Sequence, residues 1–381
     1  MTPRQCWLAA MHGQPHDRVP LILPSCEFAS RDEIDRLENP RHRALAERAF
    51  EHTVFGVPVP VQGNRHLMTP PGRFHEEREE LPDGRIRITG TIDTPRGDLR
   101  YVNERDPVSQ TGWHAEYPVK DRSDIEKIAS VPWEPPGRAR GPEVDDLPAG
   151  PADVVARTKA DAFRRRGVLE VRVSSPFVCV AGMMKYEMFL ELCATDLPLI
   201  EELTEMCRQR VLDCLGAALR TPGVDRVWMG GSEWLTPPMA SPRLYDALVQ
   251  EQERSIIDHV HGHSAAAVHI HCHGRVRDAL PRMIQRGGDY TEPVEPPPDG
   301  DITMAEAKEQ ADGRVTLGGN IEARVLANES QAEVEAAVRA AFDGGRDRFL
   351  LRPTEKPSRL DEQEFCNYLR MLDVWDDLSP L

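Results

Sequence analysis

The chain has 381 residues, of which 40% are hydrophobic and 29% charged, and its formal net charge is -16 at neutral pH. That length holds one large core, and the composition is that of an ordinary soluble globular protein. The acidic balance excludes nucleic-acid binders that work by neutralising phosphates with Lys and Arg. No apolar run is long enough to span a bilayer, so no membrane contact is expected. The opening MTPRQCWLAAMHGQPHDR lacks the apolar core of a secretory signal, which gives the expectation of a cytoplasmic protein. The eight Cys are scattered without a CxxC pair and read as buried small hydrophobes.

In chain order, eight short apolar segments, many bounded by Gly, read as buried parallel strands. They are Arg18–Leu23, Thr53–Val59, Gly167–Val173, Val224–Gly230, Ala265–His273, Gly288–Glu292, Arg314–Gly318 and Arg346–Arg352. Helical sequence lies between several of them. Met188–Ala218 is helical, with Pro198 near a helix start or break, and Ser330–Phe342 is a helix capped by Ser330 and stopped by Gly344–Gly345. Alternating strand and helix gives an α/β fold with a parallel sheet, and eight repeats favour a closed (β/α)8 TIM barrel forming a single domain over residues 1–381. Residues 60–160 form an excursion between the second and third strands. Within it Arg85–Glu104 alternates with period two around a Pro-Arg-Gly turn and reads as a β-hairpin, while Trp133–Pro151 reads as a Pro- and Gly-rich linker.

The densest chemical signal is Val268–Gly274, VHIHCHG. Side chains alternate along a strand, so His269, His271 and His273 share one face and Val268, Ile270 and Cys272 the other. At the C-terminal end of a barrel strand, His271 and His273 open into the mouth with His269 one layer deeper, suited to substrate contact. Two imidazoles on one face suit a divalent metal, and a carboxylate completes a site with open positions. Glu233, after the fourth strand, is the first choice, with Glu292, Glu295 and Glu355 as alternatives. Single strand histidines are usually structural; three in alternation at a strand end argue for a metal or direct catalysis.

Glu292–Asp301, EPVEPPPDGD, places Glu292 and Glu295 before a Pro-stiffened loop, where they can serve as catalytic acid and base; the bland reading is a solvated acidic loop. Asn320 in GGN and Ser174 after the third strand are candidate substrate contacts, each equally a helix cap. Asp258–His263, DHVHGH, reads as a helix end stopped by Gly262, where cationic residues are normal.

From the fourth strand onward the chain resembles the uroporphyrinogen decarboxylase superfamily. The resemblance rests on residues 268–321, in which a His-containing strand end is followed by a helix, a Gly-Asp strand, the acidic-proline loop and a Gly-Asn-Ile strand end, and on HDRVPLIL at residues 16–23. It implies a TIM barrel, commonly a homodimer, with two known chemistries: metal-free decarboxylation of uroporphyrinogen, and zinc-dependent methyl transfer between a corrinoid and a small acceptor. The Arg-Gln-Ala-Gly-Arg segment of the decarboxylases is absent from residues 23–36, LPSCEFASRDEIDR. The methyltransferases carry His-x-Cys on this strand and a later Cys. Here His271 matches the His, His273 stands at the Cys position, and residues 350–358 hold no Cys. Nitrogen and oxygen ligands in place of sulfur make zinc a stronger Lewis acid and also admit iron or manganese.

Three functions follow. The first is a metal-dependent methyl or alkyl transferase acting on a small molecule. It binds the metal through His271, His273 and Glu233, and a corrinoid arrives on a partner carrier protein, since the chain has no Asp-x-His-x-x-Gly motif. The second is a decarboxylase or other lyase on a small carboxylate, and the third a non-catalytic ligand-binding barrel.

Overall fold

The structure is a computed structural model that describes residues 1–61, 66–106, 112–136 and 161–381. Its strands in chain order are β1 (Phe55–Pro58), β2 (Phe74–Glu80), β3 (Ile86–Ile92), β4 (Leu99–Arg105), β5 (Gly112–Glu116), β6 (Gly167–Ser174), β7 (Arg226–Gly230), β8 (Ala267–His271), β9 (Tyr290–Glu292), β10 (Thr316–Ile321) and β11 (Phe349–Pro353). Seven of them form one parallel sheet in the order β1-β6-β7-β8-β9-β10-β11, and β2 to β5 form a separate antiparallel sheet.

Seven of the eight expected strands therefore take part in the parallel sheet. The first, Arg18–Leu23, does not form a ladder. It makes one parallel bridge from Leu21 to Leu351 beside β11. The Ile22 amide donates to the Leu351 carbonyl and the Leu351 amide to the Pro20 carbonyl, at 2.9 and 3.0 Å. Pro20 has no N–H to extend the pairing.

Between β1 and its neighbour β6 the chain leaves the parallel sheet. The Arg85–Glu104 segment becomes β3 and β4, paired antiparallel from Ile86↔Arg105 to Ile92↔Leu99, with β2 and β5 on either side. Beyond Pro136 the expected linker lies outside the described residues.

The helices follow local chemistry. The expected Met188–Ala218 helix is two, Tyr186–Thr195 and Leu197–Ala218, with Pro198 in the first turn of the second, where its missing N–H costs nothing. Gln331–Phe342 begins at a capping box of Ser330 and Glu333. Gly262 does not stop its helix, which runs from Glu251 to His263. His259 and His263 stack one turn apart near its end, 4.3 Å between ring centres.

The apolar residues divide in two. The larger core lies between the sheet and the helices. A smaller buried cluster joins Trp7, Ala10 and Met11 to Ile22, Val168, Ala267, Tyr290 and Leu350. The helix Pro3–Met11, capped by Thr2 and Gln5, is thus packed against the inner face of the strands near their N-terminal ends. Thr316 also donates to the Ala10 carbonyl at 2.7 Å. The floor of the curled sheet is mainly apolar, with Thr316 bonded into it and Arg226 5.1 Å from the Trp7 ring.

Candidate active site at the C-terminal ends of the strands

Ladder register decides which side chains meet. Trp228 pairs with His269, Gly230 with His271, His269 with Tyr290, His271 with Glu292 and Asn320 with Arg352. Since faces alternate with period two, these residues share the inner face. A methyl group added at Gly318 would overlap the Tyr290 hydroxyl, so glycine there leaves room for the ring beside His269. The rings of His269 and Tyr290 are 4.5 Å apart.

Glu292 is the centre of the cluster. His269 Nε2 and His271 Nδ1 lie 2.7 and 2.8 Å from the same oxygen, Oε1, and Arg352 Nη1 engages Oε2. The Glu292 side chain is 1% exposed, that of His269 3% and that of His271 18%. Burial alone would raise the Glu292 carboxyl, but the Arg352 charge and the two imidazoles outweigh it and hold the group well below the ordinary range. Burial pushes His269 down to about 3 despite its carboxylate partner, so it is neutral at physiological pH. A second ion cluster is centred on the buried Glu170, with Arg172 on its exposed side. Glu170 pairs with Arg226 and with Arg172, the latter at 2.7 Å, and these cations overcome burial to lower its carboxyl. Trp228 lies between the two clusters, 5.1 Å from the His271 ring and with Arg172 5.7 Å from its own.

His273, just past β8, turns to a different carboxylate. Its Nδ1 is 3.0 Å from Glu295 Oε1, and Glu295 Oε2 accepts from the Gly274 amide. Burial opposes protonation of His273, but Glu295, Glu292 and Glu355 together raise it. Glu322, just past β10, is pushed up to about 8 by burial, Glu295 and Asp299.

The residues expected from the sequence therefore separate into groups. His269, His271 and Glu292 come together, with ligand atoms all within 4.8 Å of one another. His273 and Glu295 form a neighbouring pair nearer the opening. Glu233 is in neither: it accepts from its own loop, at the Gly231 amide 3.1 Å away. Asn320 is buried beside Arg352. Ser174 ends β6 opposite Gly230, on the same inner face as Glu170 and Arg172. Sequence reasoning did not single out Arg352, Glu170, Arg226 or Trp228. The alternation Leu350–Arg352 and Glu170–Arg172 inside otherwise apolar strands is the signal that carried them. A further recess of about 380 Å³, walled by His66, Asn103, Trp113, His114 and Val178, contains none of the expected residues.

The donor set suits a divalent metal in number and kind: two imidazole nitrogens and a carboxylate oxygen. Arg352 occupies Oε2, so Glu292 would bind through Oε1 alone. One usual element is lacking among the described residues, since His269 Nδ1 is buried without an acceptor.

The family model for uroporphyrinogen decarboxylase (URO-D) matches residues 141–353, more than half of the chain. The chain belongs to the uroporphyrinogen decarboxylase family. A methyltransferase from Methanosarcina mazei has the same fold, at TM-score 0.59 and 14% identity over 99% of both chains. Two structures are more distant. A vitamin-B12-independent methionine synthase from Listeria monocytogenes, described as putative, has TM-score 0.37 and 14% identity over 64% of this chain and 71% of that one. A B12-independent methionine synthase from Shewanella sp. W3-18-1 has TM-score 0.38 and 10% identity over 80% and 76%. No curated protein sequence matches the chain. Among the described residues, no helix is long and apolar enough to cross a membrane.

Proposed function

We propose that this member of the family is a methyl or alkyl transferase acting on a small molecule. Its divalent metal, zinc first and iron or manganese next, is held by His269, His271 and Glu292. The observation that carries the reading is the meeting of these three donors at the C-terminal ends of the strands. The methyltransferase fold of the Methanosarcina mazei protein supports it. The reading includes closure of the sheet into a barrel through Pro20–Ile22, a corrinoid delivered by a separate carrier protein, and a cytoplasmic homodimer.

When bound, the metal supplies a Lewis acid that polarises a substrate atom. The chain's own residues do the rest. Arg352 keeps Glu292 ionised and fixes its plane, and Glu292 in turn orients both rings. His269 is the buried, neutral member, and His271 is the one that faces the opening. Trp228 gives the substrate an aromatic wall beside His271.

Metal-free decarboxylation of a small carboxylate is the second reading. The partnerless His269 Nδ1 favours it, as do the interior guanidinium groups of Arg226 and Arg352. Elemental analysis of the purified protein, beside H271A, separates the two. About one equivalent of metal in the parent, lost in the variant, is the expected result. A metal-free parent after supplementation would overturn the metal site and leave the decarboxylase, tested by release of carbon dioxide from small carboxylates.

A further inference from the structure

Three neighbouring strands set a row of side chains on the inner face. Arg172 on β6 pairs in register with Trp228 on β7, and Gly230, two residues on, pairs with His271 on β8. A methyl group added at Gly230 would strike the Trp228 indole, so glycine there lets the ring lean toward the C-terminal ends of the strands. The distances show the lean. The indole is 5.1 Å from the His271 ring but 6.4 Å from that of His269, its register partner. The Arg172 guanidinium lies over the same indole, 5.7 Å from its centre. Arg172, Trp228 and His271 thus stand side by side.

Arg172 differs from the other cations of this face. The side chains of Arg226 and Arg352 are only 13% and 12% exposed, and each answers a buried carboxylate, Glu170 and Glu292. Arg172 also donates to Glu170, through Nε at 2.7 Å, yet its side chain is 60% exposed. One edge of its guanidinium is held by a buried carboxylate that Arg226 already neutralises, which fixes the plane, while most of the side chain stays open to solvent. Among the charged strand residues of the inner face, Arg172, Arg226 and Arg352 stand against Glu170 and Glu292, so one positive charge is in excess. In a chain with a net charge of -16 that local sign is notable for a site. A solvated guanidinium with its plane fixed, beside an aromatic wall, is suited to grip a carboxylate through paired N–H groups.

We propose that Arg172 is the substrate-binding residue that sets the specificity of this site, and that the small molecule it selects is a carboxylate. The guanidinium grips the carboxylate, the molecule lies along the Trp228 indole, and its reacting atom sits at His271. The inference rests on the transferase reading in one respect, that the reaction takes place beside His271. One exposed cation matches one carboxylate. A phosphate dianion would need a second, and the other two cations of this face are mostly buried against their own carboxylates. A neutral analogue of the same shape is rejected, because it displaces water from the guanidinium without replacing those hydrogen bonds.

Two measurements test it, and neither depends on turnover. In the first, phenylglyoxal labels the arginines of the whole protein in the presence of propionate, propionamide or inorganic phosphate, and peptide mass mapping follows Arg172. Propionate is expected to slow labelling of Arg172 saturably, and the neutral amide to leave it unchanged. Equal labelling with and without propionate overturns the proposal, and protection by phosphate alone overturns the choice of a carboxylate. The second reads position. In chelator-treated protein, 3-bromopropionate is expected to alkylate His271 about ten- to a hundredfold faster than 3-bromopropionamide, the size of one charged hydrogen-bonded contact. That preference should vanish in R172M, whose thermal midpoint should stay near the parent's because exposed ion pairs add little. No preference in the parent, or the same preference in R172M, removes Arg172 from the approach to His271. A protein that shows the preference but moves no methyl group from methylcobalamin keeps the carboxylate site and loses the transferase reading.

Discussion

Replacing Arg352 by Met tests whether Glu292 is held ionised inside the protein. The Glu292 side chain is 1% exposed and has three donors: Arg352 on one oxygen, His269 and His271 on the other. Met fills much of the volume of the arginine stem but leaves a buried carboxylate with two neutral N–H partners. Removing one member of a buried ion pair costs roughly 3–5 kcal/mol, because the remaining charge is stranded. The variant should therefore lose about 3–5 kcal/mol at pH 8. Urea unfolding followed by circular dichroism at that pH measures it. A loss under about 1 kcal/mol, the size of an exposed pair, would refute the picture of a buried, ionised Glu292.

Acid should destabilise the parent in two overlapping stages. The His269 imidazole is depressed to about 3 when folded, so the unfolded chain binds the extra proton as pH falls below about 6.5, and stability declines from there. The depressed Glu292 adds a second loss below the ordinary glutamate range; thermal midpoints between pH 7 and pH 3.5 that stay flat would contradict both. Glu322 has the opposite sign. Its carboxyl is raised to about 8, so the folded state holds its proton and stability falls as pH rises from about 4.5 through 8. E322Q should be more stable than the parent at pH 9, partly so at pH 6 and close to it at pH 4, and equal midpoints at pH 9 would count against it. Trp7→Ala in the apolar floor should cost about 3–5 kcal/mol, read by the same urea titration, with metal content per folded protein unchanged.

Much of this arrangement was legible before any coordinates, and what was not had a common cause. The alternation in VHIHCHG places His269 and His271 on one face whatever the rest of the chain does, because a strand has period two. Which carboxylate would join them depends on register between strands twenty residues apart. Glu233 is the first choice on sequence, but it turns to the Gly231 amide of its own loop, and the pairing of β8 with β9 sets His271 opposite Glu292. The sequence favours His271 and His273 as the metal pair with His269 a deeper substrate contact, but β8 ends at His271, and past the strand the His273 ring turns to Glu295 while His269 joins His271 at Glu292. Arg352 and Glu170 were hidden for a different reason: in strands that read as continuous apolar runs, a charged residue looks like an imperfection until its partner on another strand is known. The first strand was legible as a hydrophobic run, but Pro20 limits how far it can pair.

The apolar floor has a consequence for traffic. Trp7, Met11 and their neighbours cover the inner face at the N-terminal ends of the strands, so in the proposed closed barrel whatever reaches His271 arrives from the side of the loops and departs the same way. Under the transferase reading, a transfer between two molecules through that opening leaves two timetables. Both reactants stand in the opening together, or the first product vacates it before the second reactant enters. Steady-state patterns at varied concentrations of both reactants distinguish these, as intersecting or parallel lines, and the answer would say whether the chamber is built for two occupants or for one at a time.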